Sequence, residues 1–127
     1  MALVALITLL ILLQYLVFTM LCGVERGRSG LAAPAMTGDP GFERAYRVQM
    51  NTLEQLLVTL PALWLSGLYF IPEVAASLGL AFFIGRILYR NSYVRDPAKR
   101  GPGMIIGFLA NIGLLATALW GLVPHLW

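Results

Sequence analysis

Four long apolar stretches, roughly 1–24, 44–72, 74–93 and 102–124, dominate the chain, and its polar residues gather between them. A bilayer core about 30 Å thick is crossed by about 20 helical residues, so stretches of this length suit membrane spans. The first is the plainest, with no charge from Met1 to Leu21. The third is the weakest. Val74 to Leu88 is short, carries Gly79, Gly85 and Arg86, and spans only if it continues to Tyr93. That extension is expected to set Arg86 and Arg90 near the membrane surface, where long basic side chains snorkel. Pro72 leaves almost no connection between the second and third stretches, while Pro97 and Gly101-Pro102-Gly103 close the third and open the fourth. The pattern predicts an all-α membrane protein, a four-transmembrane-helix bundle forming one domain over 1–127.

Composition points the same way. The chain is 59% hydrophobic and only 12% charged, where a soluble domain carries about a quarter charged residues. The first stretch has no basic start and is longer than the apolar core of about 7–15 residues in a cleaved signal, so it reads as a retained helix. Charge then sets an orientation. Glu25 to Arg47 and Arg86 to Arg100 together hold nine basic residues against four acidic ones, and the opposite face has only Glu73 and the termini. By the positive-inside rule both polar segments face the cytoplasm and both chain ends lie on the other side. Topology therefore explains most of the basic balance, and no nucleic-acid partner is expected. A single cysteine, Cys22, excludes an internal disulfide or a thiolate-rich metal site. His125 has no neighbouring ligands and reads as interfacial.

Charge also enters the second span. Arg47, Asn51 and Glu54 are four and three residues apart, which at about 100° per residue places them within roughly 60° on one helix face. Ionisable groups at membrane depth are costly and usually face a protein interior or a wet cavity, which marks a functional site; a structural Arg47–Glu54 clamp is the alternative. A second polar cluster shifts the balance. Tyr89 and Tyr93 are four apart on the third span, Arg86 lies near the same face, and Arg95, Lys99 and Arg100 follow. An aromatic belt with snorkelling arginines would look similar. Both clusters together suit a small molecule with carboxylates at each end and an amine, and Arg47 to Glu54 covers about 10 Å of helix rise, the length of an extended tripeptide. Glutathione has those groups and a thiol, which a fixed guanidinium would hold as the nucleophilic thiolate. The spacing leaves open which arginine does so.

The stretch Glu43-Arg44-Ala45-Tyr46-Arg47-Val48-Gln49-Met50-Asn51-Thr52-Leu53-Glu54 closely resembles the hallmark of the MAPEG family, the membrane-associated proteins of eicosanoid and glutathione metabolism. Gly85-Arg86-Ile87-Leu88-Tyr89-Arg90-Asn91-Ser92-Tyr93-Val94-Arg95 resembles that family's third-helix motif. The resemblance covers essentially the whole chain. It implies a homotrimer holding glutathione as co-substrate between subunits near the cytoplasmic surface. Arg47, Asn51, Glu54, Tyr89 and Tyr93 match glutathione-binding positions of the leukotriene-forming member, and Arg26 and Gln49 match positions supplied by the adjacent subunit. Arg100 matches the arginine proposed to hold the thiolate. A lipid-facing groove between subunits is expected to take a hydrophobic electrophile or a lipid hydroperoxide. Two departures, Arg26-Gly27 in place of an arginine doublet and Gln55 in place of a tyrosine, argue against a fatty-acid epoxide. The expected function is a membrane-bound glutathione transferase acting on apolar electrophiles, with peroxidase chemistry open to the same thiolate. The family also includes a non-catalytic member that presents lipid to a partner enzyme, so a lipid-binding scaffold is the alternative.

Overall fold

The computed structural model describes all residues, Met1–Trp127, as four long helices: α1 (Ala2–Ser29), α2 (Pro40–Tyr69), α3 (Pro72–Arg95) and α4 (Gly101–Leu122). Short 3-10 turns at Pro97–Lys99 and Val123–His125 flank α4. Local chemistry fixes the ends. Gly30 terminates α1 with φ 70°, and its N–H reaches the Arg26 carbonyl at 3.1 Å. Asp39 caps α2 by accepting from the Phe42 amide at 2.9 Å, with Pro40 at the first helical position. Pro72 plays the same part in α3, so the break it makes between the two stretches is also the start of the next helix. Only Phe70 and Ile71 separate α2 from α3.

Both polar segments are more helical than the hydropathy boundaries suggest. Helix α1 runs past residue 24 to Ser29 and carries Glu25, Arg26 and Arg28 with it, and α3 extends to Arg95. Helix α1, α3 and the stretch from Gly101 to His125 are long and apolar enough to cross a membrane. Helix α2 has the length but a lower hydropathy, since its first half carries the charged hallmark.

The core runs along the bundle axis and is built from one face of each helix: Val4, Ile7 and Ile11 of α1, Leu56 and Leu63 of α2, Ala75 and Phe82 of α3, Ala110 and Leu114 of α4. Many large apolar side chains point outward, among them Leu9 at 65%, Phe108 at 62% and Trp120 at 75% exposure. An apolar exterior around an apolar core suits lipid surroundings. In lipid, close backbone approach and interhelical hydrogen bonds hold helices together. Helices α3 and α4 meet through glycines: a Cβ on Gly85 would lie 3.1 Å from the Gly107 nitrogen, and one on Gly103 would overlap the Tyr89 backbone. Buried polar pairs tie α2 to α4. Ser66 and Thr117 hydroxyls lie 2.7 Å apart, and Thr59 donates to Asn111 Oδ1 at 2.7 Å. Gln14 of α1 donates to the Phe83 carbonyl of α3 at 2.8 Å.

Candidate active site

The hallmark helix turns its residues toward two neighbours. On the side facing α3 and α4, Arg47 pairs with Glu54 at 3.2 Å, both side chains about half exposed at 49% and 55%. Asn51, on the same face, uses Oδ1 to accept from Arg86 Nη2 at 2.8 Å. Gln49 faces the other way and donates to Thr19 of α1 at 3.3 Å. Arg26 lies further along α1, its guanidinium 4.3 Å from the centre of the Phe42 ring and donating to the Ala35 carbonyl at 2.9 Å. No hydrogen bond or ion pair joins Arg26 or Gln49 to the other candidates within one subunit.

Tyr89 and Tyr93 stack with ring centres 5.5 Å apart and planes inclined by 23°. Tyr89 is buried and wedged between Phe18, Val48 and Arg86. Through Arg86, which lies over the Tyr89 ring and donates to Asn51, the tyrosine pair is joined to the α2 motif. Arg100 sits just before α4, exposed, and donates to the Pro97 carbonyl at 2.9 Å. Arg44 donates to the Val94 and Arg95 carbonyls at 3.2 and 3.3 Å, clamping α2 to the C-terminal end of α3.

Arg86 departs from expectation. It does not snorkel to the surface but is 2% exposed, donating through Nη2 to Asn51 Oδ1 and, at 2.9 Å, to Thr52 Oγ1. Its guanidinium lies 4.2 Å from the centre of the Tyr89 ring, its Nε has no hydrogen-bond partner, and no carboxylate pairs with it. The spacing of Arg86 and Tyr89, three residues apart on α3, hinted at a shared face; its burial depends on Asn51 and Thr52, which only the packing of α2 supplies. A cavity of about 330 Å³ opens beside it, lined by Asn51, Gln55, Arg86, Met104, Ile105, Gly107 and Phe108. In sequence Gln55 is only a departure from the tyrosine of the family hallmark. In the structure it anchors one wall of this cavity.

Outside the spans, Arg28 bridges Glu25 and Asp39, both at 2.6 Å. The Phe42 amide, with help from Arg28, holds the Asp39 carboxyl below its ordinary pKa.

An apolar-surfaced helical bundle with a polar and aromatic cluster toward one end defines an integral membrane protein with a candidate small-molecule site. Residues 4–120 match the MAPEG family model, and the chain belongs to that family. It is 36% identical to human microsomal glutathione S-transferase 2 over 114 residues, 90% of this chain and 75% of that one. Leukotriene C4 synthase of Cavia porcellus is 36% identical over 124 residues, covering 98% and 83%. An uncharacterised protein of Synechocystis sp. is 44% identical over 122 residues, covering 93% and 89%.

Proposed function

We propose that this protein is a membrane-bound glutathione transferase that adds the glutathione thiolate to apolar electrophiles dissolved in the bilayer. The observation that carries the reading is one patch of complementary chemistry: the half-exposed Arg47–Glu54 pair, Asn51 bonded to Arg86, and the stacked Tyr89–Tyr93 pair beneath that guanidinium. Relatives at 36% identity whose names specify glutathione transfer and leukotriene C4 synthesis support it.

In this reading all four helices cross the membrane, with the polar end of α2 at the cytoplasmic surface. Glu54 accepts the α-ammonium of glutathione, Arg47 and the tyrosine hydroxyls hold carboxylates, and Asn51 bonds the peptide. Arg26 and Gln49, unconnected to these within a subunit, complete the site from a neighbour in a homotrimer. Arg100 holds the sulfur as thiolate by charge and hydrogen bonding, and the thiol proton passes to water. The sulfur then attacks an electrophile entering from lipid. A lipid-presenting scaffold has no use for a guanidinium at a thiol, which sets Arg100 against that alternative.

The test is the ultraviolet difference spectrum of detergent-purified protein on adding glutathione at neutral pH. A thiolate band, absent in Arg100→Ala, is the expected result. Glutathione binding with no thiolate band overturns the thiol-activating role, and no binding at all overturns the site.

A further inference from the structure

Arg26 lies in the last turn of α1 without a carboxylate partner, because Arg28 takes both Glu25 and Asp39 at 2.6 Å. The two nitrogens at the end of its guanidinium are held unequally. Nη1 donates to the Ala35 carbonyl at 2.9 Å and to the Leu31 carbonyl at 3.3 Å, beside the Phe42 ring. Nη2 has a single partner, the Met36 sulfur at 3.8 Å. A thioether is a weak acceptor, so Nη2 is the part of the group most readily given to another ligand. Met36 is 43% exposed and sits on the connection between α1 and α2, whereas Met20, Met50 and Met104 lie within helices. An exposed sulfur thus lies directly against a cation that has no counter-ion.

We infer that Met36 is an oxidation site whose sulfoxide captures Arg26 and so weakens glutathione binding. The effect on binding rests on the proposed reading, in which Arg26 completes a neighbour's glutathione site. The oxidant is a hydroperoxide. A sulfur lone pair attacks the peroxide oxygen that carries the hydrogen, forming the S–O bond as the O–O bond breaks. The proton passes to the departing alkoxide, which leaves as an alcohol. Sulfur is oxidised by two electrons and the peroxide is reduced by two. The new oxygen carries partial negative charge within reach of Nη2. A weak sulfur acceptor has become a polar oxygen facing a guanidinium, and hydrogen bonds with an ionised donor are among the strong ones. Arg26 must then break that bond before Nη2 can turn to a carboxylate of glutathione. Methionine sulfoxide reductases restore the thioether, so the change is reversible.

The experiment treats detergent-purified wild type and Met36→Leu with tert-butyl hydroperoxide and then removes the oxidant. Peptide mass spectrometry reads oxygen gained at Met36 and the rate at which phenylglyoxal labels Arg26, and calorimetry reads the Kd for glutathione. In wild type Met36 is expected to gain one oxygen, Arg26 labelling to slow, and Kd to rise about tenfold, the size of one strengthened hydrogen bond. Reduction by methionine sulfoxide reductases should reverse all three. Met36→Leu should keep its Kd and its labelling rate through the same treatment. No oxidation at Met36, oxidation with unchanged Arg26 labelling, or an equal rise in Kd in Met36→Leu overturns the inference. Slowed labelling with an unchanged Kd overturns the effect on binding. The labelling needs no glutathione, so wild type that shows the capture but binds no glutathione before treatment overturns the transferase reading and leaves the modification site in place. The wild-type measurements before oxidation, after it and after reduction stand on their own if Met36→Leu fails to fold.

Discussion

Replacing Glu54 by Gln separates a ligand site from a structural clamp, because the two roles differ in size. The Arg47–Glu54 pair is 3.2 Å long and half open to solvent, at 49% and 55% exposure. Exposed pairs of this kind contribute at most about 1 kcal/mol, since solvent screens the attraction and two long side chains lose freedom. Glutamine keeps the shape and an acceptor oxygen, so the loss in fold stability should be smaller still. A carboxylate that receives the α-ammonium of glutathione makes a charge-assisted bond contributing about 1.5–3 kcal/mol. Its loss weakens binding roughly 10- to 150-fold. The assay is calorimetric titration of glutathione into detergent-solubilised wild type and Glu54→Gln, with thermal unfolding of both in the same detergent without ligand. The expected outcome is a large rise in Kd beside a nearly unchanged Tm. Unchanged affinity removes Glu54 from the site, and a large fall in Tm without ligand restores the clamp.

Three further outcomes are expected. Arg100→Ala should lower the thiolate fraction and kcat far more than glutathione affinity, read by ultraviolet titration and steady-state kinetics; equal losses in binding and rate would contradict its action on sulfur. Gly103→Ala forces a methyl group into the Tyr89 backbone and should destabilise by about 1–3 kcal/mol or more, whereas Gly101→Ala, with nothing within 4 Å, should melt like wild type. Finally, the lowered pKa of Asp39 means that its capping contribution is complete above the unfolded carboxyl value of about 4 and is lost as pH falls through the lower folded value. Hydrogen exchange at the Phe42 amide should therefore gain protection on going from strongly acidic to mildly acidic pH in wild type but not in Asp39→Asn; identical profiles would remove Asp39 as the cause.

The sequence alone determined what depends on local pattern. Apolar run length marked the four helices, since a bilayer sets a minimum length and any helix must satisfy its own backbone. Their ends were less legible, because capping by Gly30, Asp39 and Pro72 carries α1 past residue 24 and starts α2 and α3 earlier than hydropathy suggests. Helical spacing put Arg47 beside Glu54 and Tyr89 beside Tyr93, and both pairs meet in the structure. Family membership, too, was written in two motifs.

Only the tertiary structure decided how the helices rotate against one another. The fate of Arg86 shows why that matters: in sequence it is a basic residue near a membrane edge, and in the fold it is buried by Asn51 and Thr52 of α2. The polar relay from Thr59 through Asn111 to Gln55 joins residues more than fifty positions apart. Their meeting depends on the axial rotation of α2 and α4, beside the close approach that Gly85 and Gly103 permit between α3 and α4. Hydropathy is a property of each residue in turn, whereas a site built across helices is a property of their contacts.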